Sequence, residues 1–313
     1  MKRILITDNT HPVLQERLQE AGYGVDINTT VDYSTLLSIV KGYDALVVRS
    51  KIIIDRNFID HASHLCCIGR VGAGMETIDV DYAESHGIRC LNSPEGNRDA
   101  VGEHAVGLLL ALCNNIARAD AEVRHGLWQR EANRGFEIGG RTIGIIGFGT
   151  MGGAFARRLQ GFGCRIVAYD KYRHGDMPEY VEEVSLEQLQ READIVSLHV
   201  PLTDETHHMV DAAFLQQFSK SIVLINTSRG AVVKTPDLAE AMRQGKVTGA
   251  ALDVMEYENM TRDALDLANM PDDFRYLAQS SRTVLTPHVA GWTVESKYKL
   301  AAVLADKIIA TLR

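Results

Sequence analysis

The chain has 313 residues, 45% of them apolar, and a formal net charge of −8. That length is long for one domain and fits two, with apolar residues enough for real cores. The acidic balance argues against nucleic acid or an anionic membrane as partner, and no run of eighteen apolar residues suggests a membrane-spanning helix. The opening run, Met1 to Thr7, is too short and too strand-like for a signal peptide. Cys66, Cys67, Cys90, Cys113 and Cys164 form no CxxC pair and read as small buried hydrophobes in a reducing cytoplasm. No metal site is expected.

The first ninety residues alternate strand and helix. Strand-like runs fall at Ile4–Thr7, Val25–Asn28, Ala45–Val48, Cys66–Gly69 and Ile88–Leu91, with helical runs such as Val13–Ala21 and Asp79–His86 between them. Short apolar strands separated by helices predict a parallel sheet covered on both faces. Ala100 to Trp128 reads as one long helix whose centre, Ala105–Leu112, is apolar all round and must be buried on every side, inside the fold or at a subunit interface. A second series follows: Ile143–Gly147, Arg165–Tyr169, Ile195–His199, Ile222–Asn226, Gly249–Asp253 and Thr283–Leu285. Six strands make a complete dinucleotide domain. Thr235-Pro236-Asp237 reads as an N-cap followed by proline in the first helical turn.

Between the first strand of that series and the helix after it stands Gly147-Phe148-Gly149-Thr150-Met151-Gly152. In a G-x-G-x-x-G turn the first glycine permits the tight turn and the second lets backbone approach a pyrophosphate. The third lets the helix pack on the strand with its N-terminus facing the phosphates. The next strand ends at Asp170, near the place about 20 residues on where a ribose-binding acid is expected. A carboxylate there favours NAD over NADP. Lys171 and Arg173 follow and could reach a 2′-phosphate, so the sequence leaves NADP open.

Further blocks keep a recognisable order. They are Arg70-Val71-Gly72-Ala73-Gly74 with Ile78-Asp79, Asn92-Ser93-Pro94 through Asn97 to Glu103-His104, and the glycine turn. Asn226-Thr227-Ser228-Arg229-Gly230, Ala251-Leu252-Asp253-Val254 and Thr286-Pro287-His288 follow. Over essentially its whole length the chain resembles the D-2-hydroxyacid dehydrogenases. The resemblance implies an α/β protein of two doubly wound parallel-sheet domains. A Rossmann NAD domain, residues 98–285, would be inserted into a flavodoxin-like substrate domain made of residues 1–97 and 286–313. It also implies a cleft active site, a homodimer through the long helix 100–125, and a cytoplasmic enzyme using NAD.

Arg229, Glu258 and His288 match the family's catalytic trio. An imidazole titrates near working pH and suits the proton of a 2-hydroxyl, a carboxylate stabilises the imidazolium, and a planar guanidinium suits the substrate carboxylate. Taken singly, Arg229 reads equally as a turn arginine and His288 as a loop histidine. Glu256 competes with Glu258, and Asn259 stands where the family usually has proline. The backbone N–H groups of the Val71–Gly74 run, above all Gly72-Ala73-Gly74, could form an anion nest. The resemblance also places Asp253 on the nicotinamide side, Val200-Pro201 on the cofactor wall, and Thr227-Ser228 beside them. Trp292 reads either as a pocket wall or as a packing aromatic.

Substrate identity rests on Arg49-Ser50-Lys51 at the end of the third strand. This run is similar to the Arg-Ser segment of the family's phosphoglycerate dehydrogenases, and reads otherwise as solvated cations beside a turn. It makes 3-phospho-D-glycerate the favoured substrate, without the regulatory C-terminal domain of longer members. The rivals are a glyoxylate or hydroxypyruvate reductase of the same family and, from another class, an NAD(H)-sensing binding protein like the co-repressors that share the fold.

Overall fold

The computed structural model describes residues 1–258 and 267–313, which form two compact units. One comprises Met1–Asp99 with Trp292–Arg313, the other Ala100–Gly291.

The first unit runs β1 (Arg3–Ile6), α1 (Val13–Glu20), β2 (Gly24–Ile27), α2 (Tyr33–Ile39), β3 (Ala45–Val48), α3 (Arg56–His61), β4 (Cys67–Arg70), α4 (Val80–Ser85) and β5 (Arg89–Leu91). The strands are all parallel, in the order β2-β1-β3-β4-β5, which is the flavodoxin-like winding. Alternate strand residues feed two apolar layers. Ile4, Ile6, Ala45 and Val47 pack with Leu14 and Leu18 on one face, and Leu5, Leu46 and Val48 pack with Leu36 and Phe58 on the other. The chain's last helix, Val294–Leu312, completes the first layer through Leu304, Ala305 and Ile308. Its start is closed by a reciprocal box between Thr293 and Ser296. Gly96 is required here, because a Cβ on it would lie 2.5 Å from the Leu300 backbone nitrogen.

The second unit begins with α5 (Arg98–Cys113) and α6 (Ile116–Arg124) and continues with β6 (Thr142–Ile146), α7 (Thr150–Leu159), β7 (Arg165–Tyr169) and β8 (Glu182–Glu183). Then come α8 (Leu186–Glu192), β9 (Ile195–Leu198), α9 (Ala212–Gln216), β10 (Ile222–Asn226), α10 (Thr235–Arg243), β11 (Val247–Leu252), α11 (Asp272–Gln279) and β12 (Thr283–Leu285); the Val294–Leu312 helix is α12. The parallel order β12-β11-β10-β9-β6-β7-β8 reverses between β6 and β9, the point at which such sheets bind ligands beyond their strand ends.

Three expectations are corrected. The sheet has seven strands rather than six, since Glu182–Glu183 adds a short acidic edge beside Val167 and Ala168 that carries no apolar run to betray it. The long helix is two helices bent by 61°. Asn115 adopts a left-handed backbone, φ 54°, and the Phe136 N–H takes the Cys113 carbonyl that a continuous helix would have used. The apolar centre of α5 is covered inside its own unit, where Leu108, Leu109 and Leu112 join Ile143, Ile145, Val223 and Ile225. Finally, Lys234 precedes α10 and Thr235 is its first residue. The cap comes from outside the helix, as the Glu256 carboxylate accepts the Thr235 N–H at 2.8 Å.

The unit boundaries fall after Asp99 and Gly291, rather than after residues 97 and 285. The segment following β12 is held to the second unit by Asp253, whose carboxylate accepts the N–H groups of Val289 and Ala290. Among the described residues no single helix is long and apolar enough to cross a membrane.

Candidate active site

The turn from β6 into α7 depends on its glycines. Gly147 has φ 88°, and a Cβ there would lie 2.7 Å from the His199 carbonyl and 2.9 Å from a Val200 methyl. A Cβ on Gly152 would lie 2.2 Å from the Gly147 carbonyl, so the helix can approach the strand only with glycine in place. Gly149, by contrast, faces open space. Among the described residues no side chain caps α7, and the N–H groups of Thr150, Met151 and Gly152 have no acceptor. Such orphan donors at a helix start suit a pyrophosphate. Beyond the neighbouring strand ends, two buried polar atoms, Thr227 Oγ1 and His199 Nδ1, also lack partners among the described residues. Open space at the second glycine and unpaired donors around it fit a dinucleotide.

At the end of β7, Asp170 accepts the Phe148 N–H at 2.7 Å and the N–H groups of Tyr172 and Arg173 at 2.9 and 3.0 Å. The acid thus ties the glycine turn to the turn after β7. Both cations that left NADP open are neutralised: Lys171 pairs with Glu205, and Arg173 with Asp176. Tyr172 also donates to Glu205. Pro201, beyond β9, accepts the Thr206 hydroxyl at 2.6 Å, which orders the loop carrying Glu205.

The three candidate catalytic residues lie beyond the C-terminal strand ends of this same unit. After β10, the Asn226 side chain accepts from Ser228 N and Oγ and donates to the Arg229 carbonyl, folding Thr227-Ser228-Arg229 into a tight bend. A Cβ on Gly230 would lie 2.0 Å from the Met255 carbonyl carbon, so glycine lets this bend meet the segment after β11. There the Met255 N–H donates to Glu258 Oε1 at 2.8 Å, and Glu258 Oε2 lies 2.9 Å from His288 Nδ1. The Glu258 hydrogen bond raises the His288 pKa above its usual value, while burial and Arg229 oppose the rise. With Nδ1 engaged, Nε2 is left as the working nitrogen.

Glu256 has a different task. Besides capping α10 it lies 2.5 Å from His208 Nε2, whereas Glu258 is the one beside His288.

His288 itself has a left-handed backbone, φ 55°, unusual for a side chain of this size. Asp253 holds it there. Its carbonyl accepts the His288 N–H at 2.7 Å, and its carboxylate, 1% exposed, accepts Thr286 Oγ1 at 2.6 Å, Val289 N at 2.9 Å and Ala290 N at 2.8 Å. Burial opposes ionisation of Asp253, but bonds from His104, Thr286, Ala290 and Val289 outweigh it and lower its pKa. None of these donors was legible beforehand, because each is brought in by the fold.

In the first unit, the Arg49 N–H donates to Asp8 Oδ2 at 3.0 Å, joining the ends of β1 and β3 where the strand order reverses. The Arg49 guanidinium lies 4.3 Å from the Trp292 ring centre and pairs with no carboxylate among the described residues. Trp292 is thus an arginine-stacking aromatic. The Lys51 ammonium donates to the carbonyls of Thr29 and Val31 at 2.9 and 2.7 Å. Ser50 is exposed. Beside Val71, whose N–H donates to Val48, the N–H groups of Gly72, Ala73 and Gly74 have no acceptor among the described residues. The Arg70 side chain lies over Gly72, where a Cβ would sit 1.9 Å from it, and Arg70 Nε donates to the Arg49 carbonyl. Arg70 opens the Arg70–Gly74 run, and nothing in the sequence sets it apart there as a site residue. An open pocket of about 480 Å³ between Ile53 and Asp79 contains none of these groups.

Residues 106–290 match the family model for the D-isomer specific 2-hydroxyacid dehydrogenase, NAD binding domain. The hydroxypyruvate reductase of Thermotoga maritima is 36% identical over 278 residues, 88% of this chain and 87% of that protein. The D-3-phosphoglycerate dehydrogenase of Methanocaldococcus jannaschii is 34% identical over 316 residues, all of this chain but 58% of the relative. A crystal structure of D-lactate dehydrogenase from Aquifex aeolicus complexed with NAD and lactic acid superposes with a TM-score of 0.82 at 28% identity, covering 99% of this chain and 95% of that one. The chain belongs to the D-isomer specific 2-hydroxyacid dehydrogenases, as an NAD-dependent oxidoreductase.

Proposed function

We propose that the protein oxidises 3-phospho-D-glycerate at C2, with Arg229, Glu258 and His288 as its catalytic residues. Bound NAD supplies the acceptor for the C2 hydride. The residues around it would be Gly147 to Gly152, Asp170 on the adenine-side ribose, Val200 and Pro201 on the wall, Thr227 and Ser228 beside them, and Asp253 through its remaining lone pair on the nicotinamide side. His288 Nε2 takes the C2 hydroxyl proton, which makes C2 electron-rich enough to lose hydride. The adjacent Glu258 carboxylate stabilises the resulting imidazolium and keeps the remaining ring proton on Nδ1. Arg229 anchors the substrate carboxylate and polarises the C2 oxygen.

The observation that supports the phosphate assignment is Arg49, a partly buried guanidinium at a strand end that forms no salt bridge among the described residues and is braced by Trp292. The Asp8 carboxylate acts on its charge, and in a chain of net charge −8 such an arginine suits an anion. Lys51 keeps its charge but directs two of its three N–H donors to carbonyls, which leaves it fewer bonds for a phosphate and supports the second reading, reduction of hydroxypyruvate or glyoxylate. Comparison of kcat/KM for 3-phosphoglycerate, glycerate and D-lactate decides between them. The first reading expects 3-phosphoglycerate to lead and Arg49→Ala to erase its lead. Equal rates with unphosphorylated acids would remove Arg49 from the phosphate role.

We further assign the protein to the cytoplasm and to a homodimer. The exposed side chains of Ile116, Val123, Leu127 and Trp128 on and after α6 form the apolar surface that a second copy would cover.

A further inference from the structure

His104 stands on α5, outside the catalytic trio, yet it is wired to the loop that carries His288. Its Nε2 lies 3.0 Å from Thr286 Oγ1 and 3.5 Å from Asp253 Oδ1. Thr286 Oγ1 is 2.6 Å from the Asp253 carboxylate, which can only accept, so the threonine proton points there. The free lone pairs of Thr286 Oγ1 then face His104, which must donate from Nε2. Donation therefore runs from His104 to Thr286 to Asp253, and Asp253 in turn holds the N–H groups of Val289 and Ala290 and, through its carbonyl, that of His288.

The other end of the chain of contacts is fixed as well. Two residues before His104, Gly102 lies so close to α7 that a Cβ would be 2.8 Å from the Ala154 carbonyl. Glu103 pairs with Arg158 of the same helix at 3.2 Å. Helix α5 is thereby seated on the helix that starts at the dinucleotide turn, and His104 transmits that seating to the histidine loop.

We propose that His104 is a positioning residue for the reaction. With Thr286 and Asp253 it holds residues 286–290 in the conformation that keeps His288, at φ 55°, within reach of Glu258. A left-handed backbone at a histidine relaxes unless its surroundings over-determine it. Loss of the His104 donor lets the loop relax, and a displacement of about 1 Å at the reacting group costs on the order of 10²-fold in rate.

This inference rests on the assignment of His288 as proton carrier. The test measures kcat and KM for 2-keto acid reduction, NADH affinity by fluorescence and Tm for His104→Ala, His104→Gln, Thr286→Val, Thr286→Ser and His288→Ala. The expected result is a kcat lowered about 10- to 100-fold in His104→Ala and Thr286→Val with NADH affinity retained. His104→Gln, which keeps an N–H donor, and Thr286→Ser, which keeps the hydroxyl, recover most of the loss. If His104→Ala fails to fold, the threonine pair carries the test. A wild-type kcat in His104→Ala or Thr286→Val, or a lowered Tm with kcat unchanged, overturns the positioning role. Equally slow Ala and Gln variants overturn it too, since the donor would then not matter. An active His288→Ala would overturn the proton-carrier assignment itself, a result distinct from the others.

Discussion

Glu258→Gln tests the catalytic pair at a single atom. In the native protein Glu258 accepts from Met255 N at 2.8 Å and from His288 Nδ1 at 2.9 Å. Glutamine has one accepting oxygen. If that oxygen stays with Met255, the amide NH₂ faces His288 and requires Nδ1 to accept, which moves the neutral ring's proton to Nε2 and removes the base. The loss expected for a misassigned general base is about 10²–10⁴ in rate, or roughly 2.7–5.4 kcal/mol of barrier. A second effect concerns pH. The hydrogen bond to Glu258 raises the His288 pKa, so the protonated form needed for keto acid reduction persists above the ordinary histidine value and is lost as pH rises through the raised one. Steady-state reduction across pH should therefore show a low plateau in Glu258→Gln and a descending limb shifted toward acid, because the bond that raises the His288 pKa is lost. A native limb with a native plateau would refute both the tautomer argument and the role of Glu258.

Removal of the Asp170 carboxylate should narrow the preference for NAD over NADP, read as the ratio of kcat/KM values; an unchanged ratio would sink its ribose role. The accompanying loss of three backbone hydrogen bonds predicts a lower Tm as well. Gly230→Ala should destabilise the protein by about 1–3 kcal/mol in denaturant unfolding, because the added methyl meets Met255 backbone rather than a movable side chain. Native stability in that variant would mean the Arg229 bend does not press on the segment carrying Glu258.

Much of this architecture was legible because it rests on local signals. Alternating apolar runs gave the parallel sheets, and Gly147, Gly149 and Gly152 announced the turn from β6 into α7 by spacing alone. What escaped was what needs two distant segments at once. The bend at Asn115 depends on Phe136 taking a carbonyl twenty-three residues earlier in the chain, at Cys113. Glu182–Glu183 joins the sheet by backbone pairing that leaves no mark on hydropathy. Glu256 and Glu258, two residues apart, have different partners, and only the fold sends one to Thr235 and the other to His288. Arg49 and Lys51 look equivalent in sequence, but Thr29 and Val31 engage the lysine while Trp292 stacks on the arginine.

The account stands most directly on one comparison: nicotinamide absorbance with D-2-hydroxy acid and NAD, and NADH binding by fluorescence, in wild-type protein and in His288→Ala. The predicted result is turnover in the wild type and none in the variant, with NADH bound nearly as tightly by both. Turnover in His288→Ala, or NADH binding by the wild type without turnover of any 2-hydroxy or 2-keto acid, would contradict it.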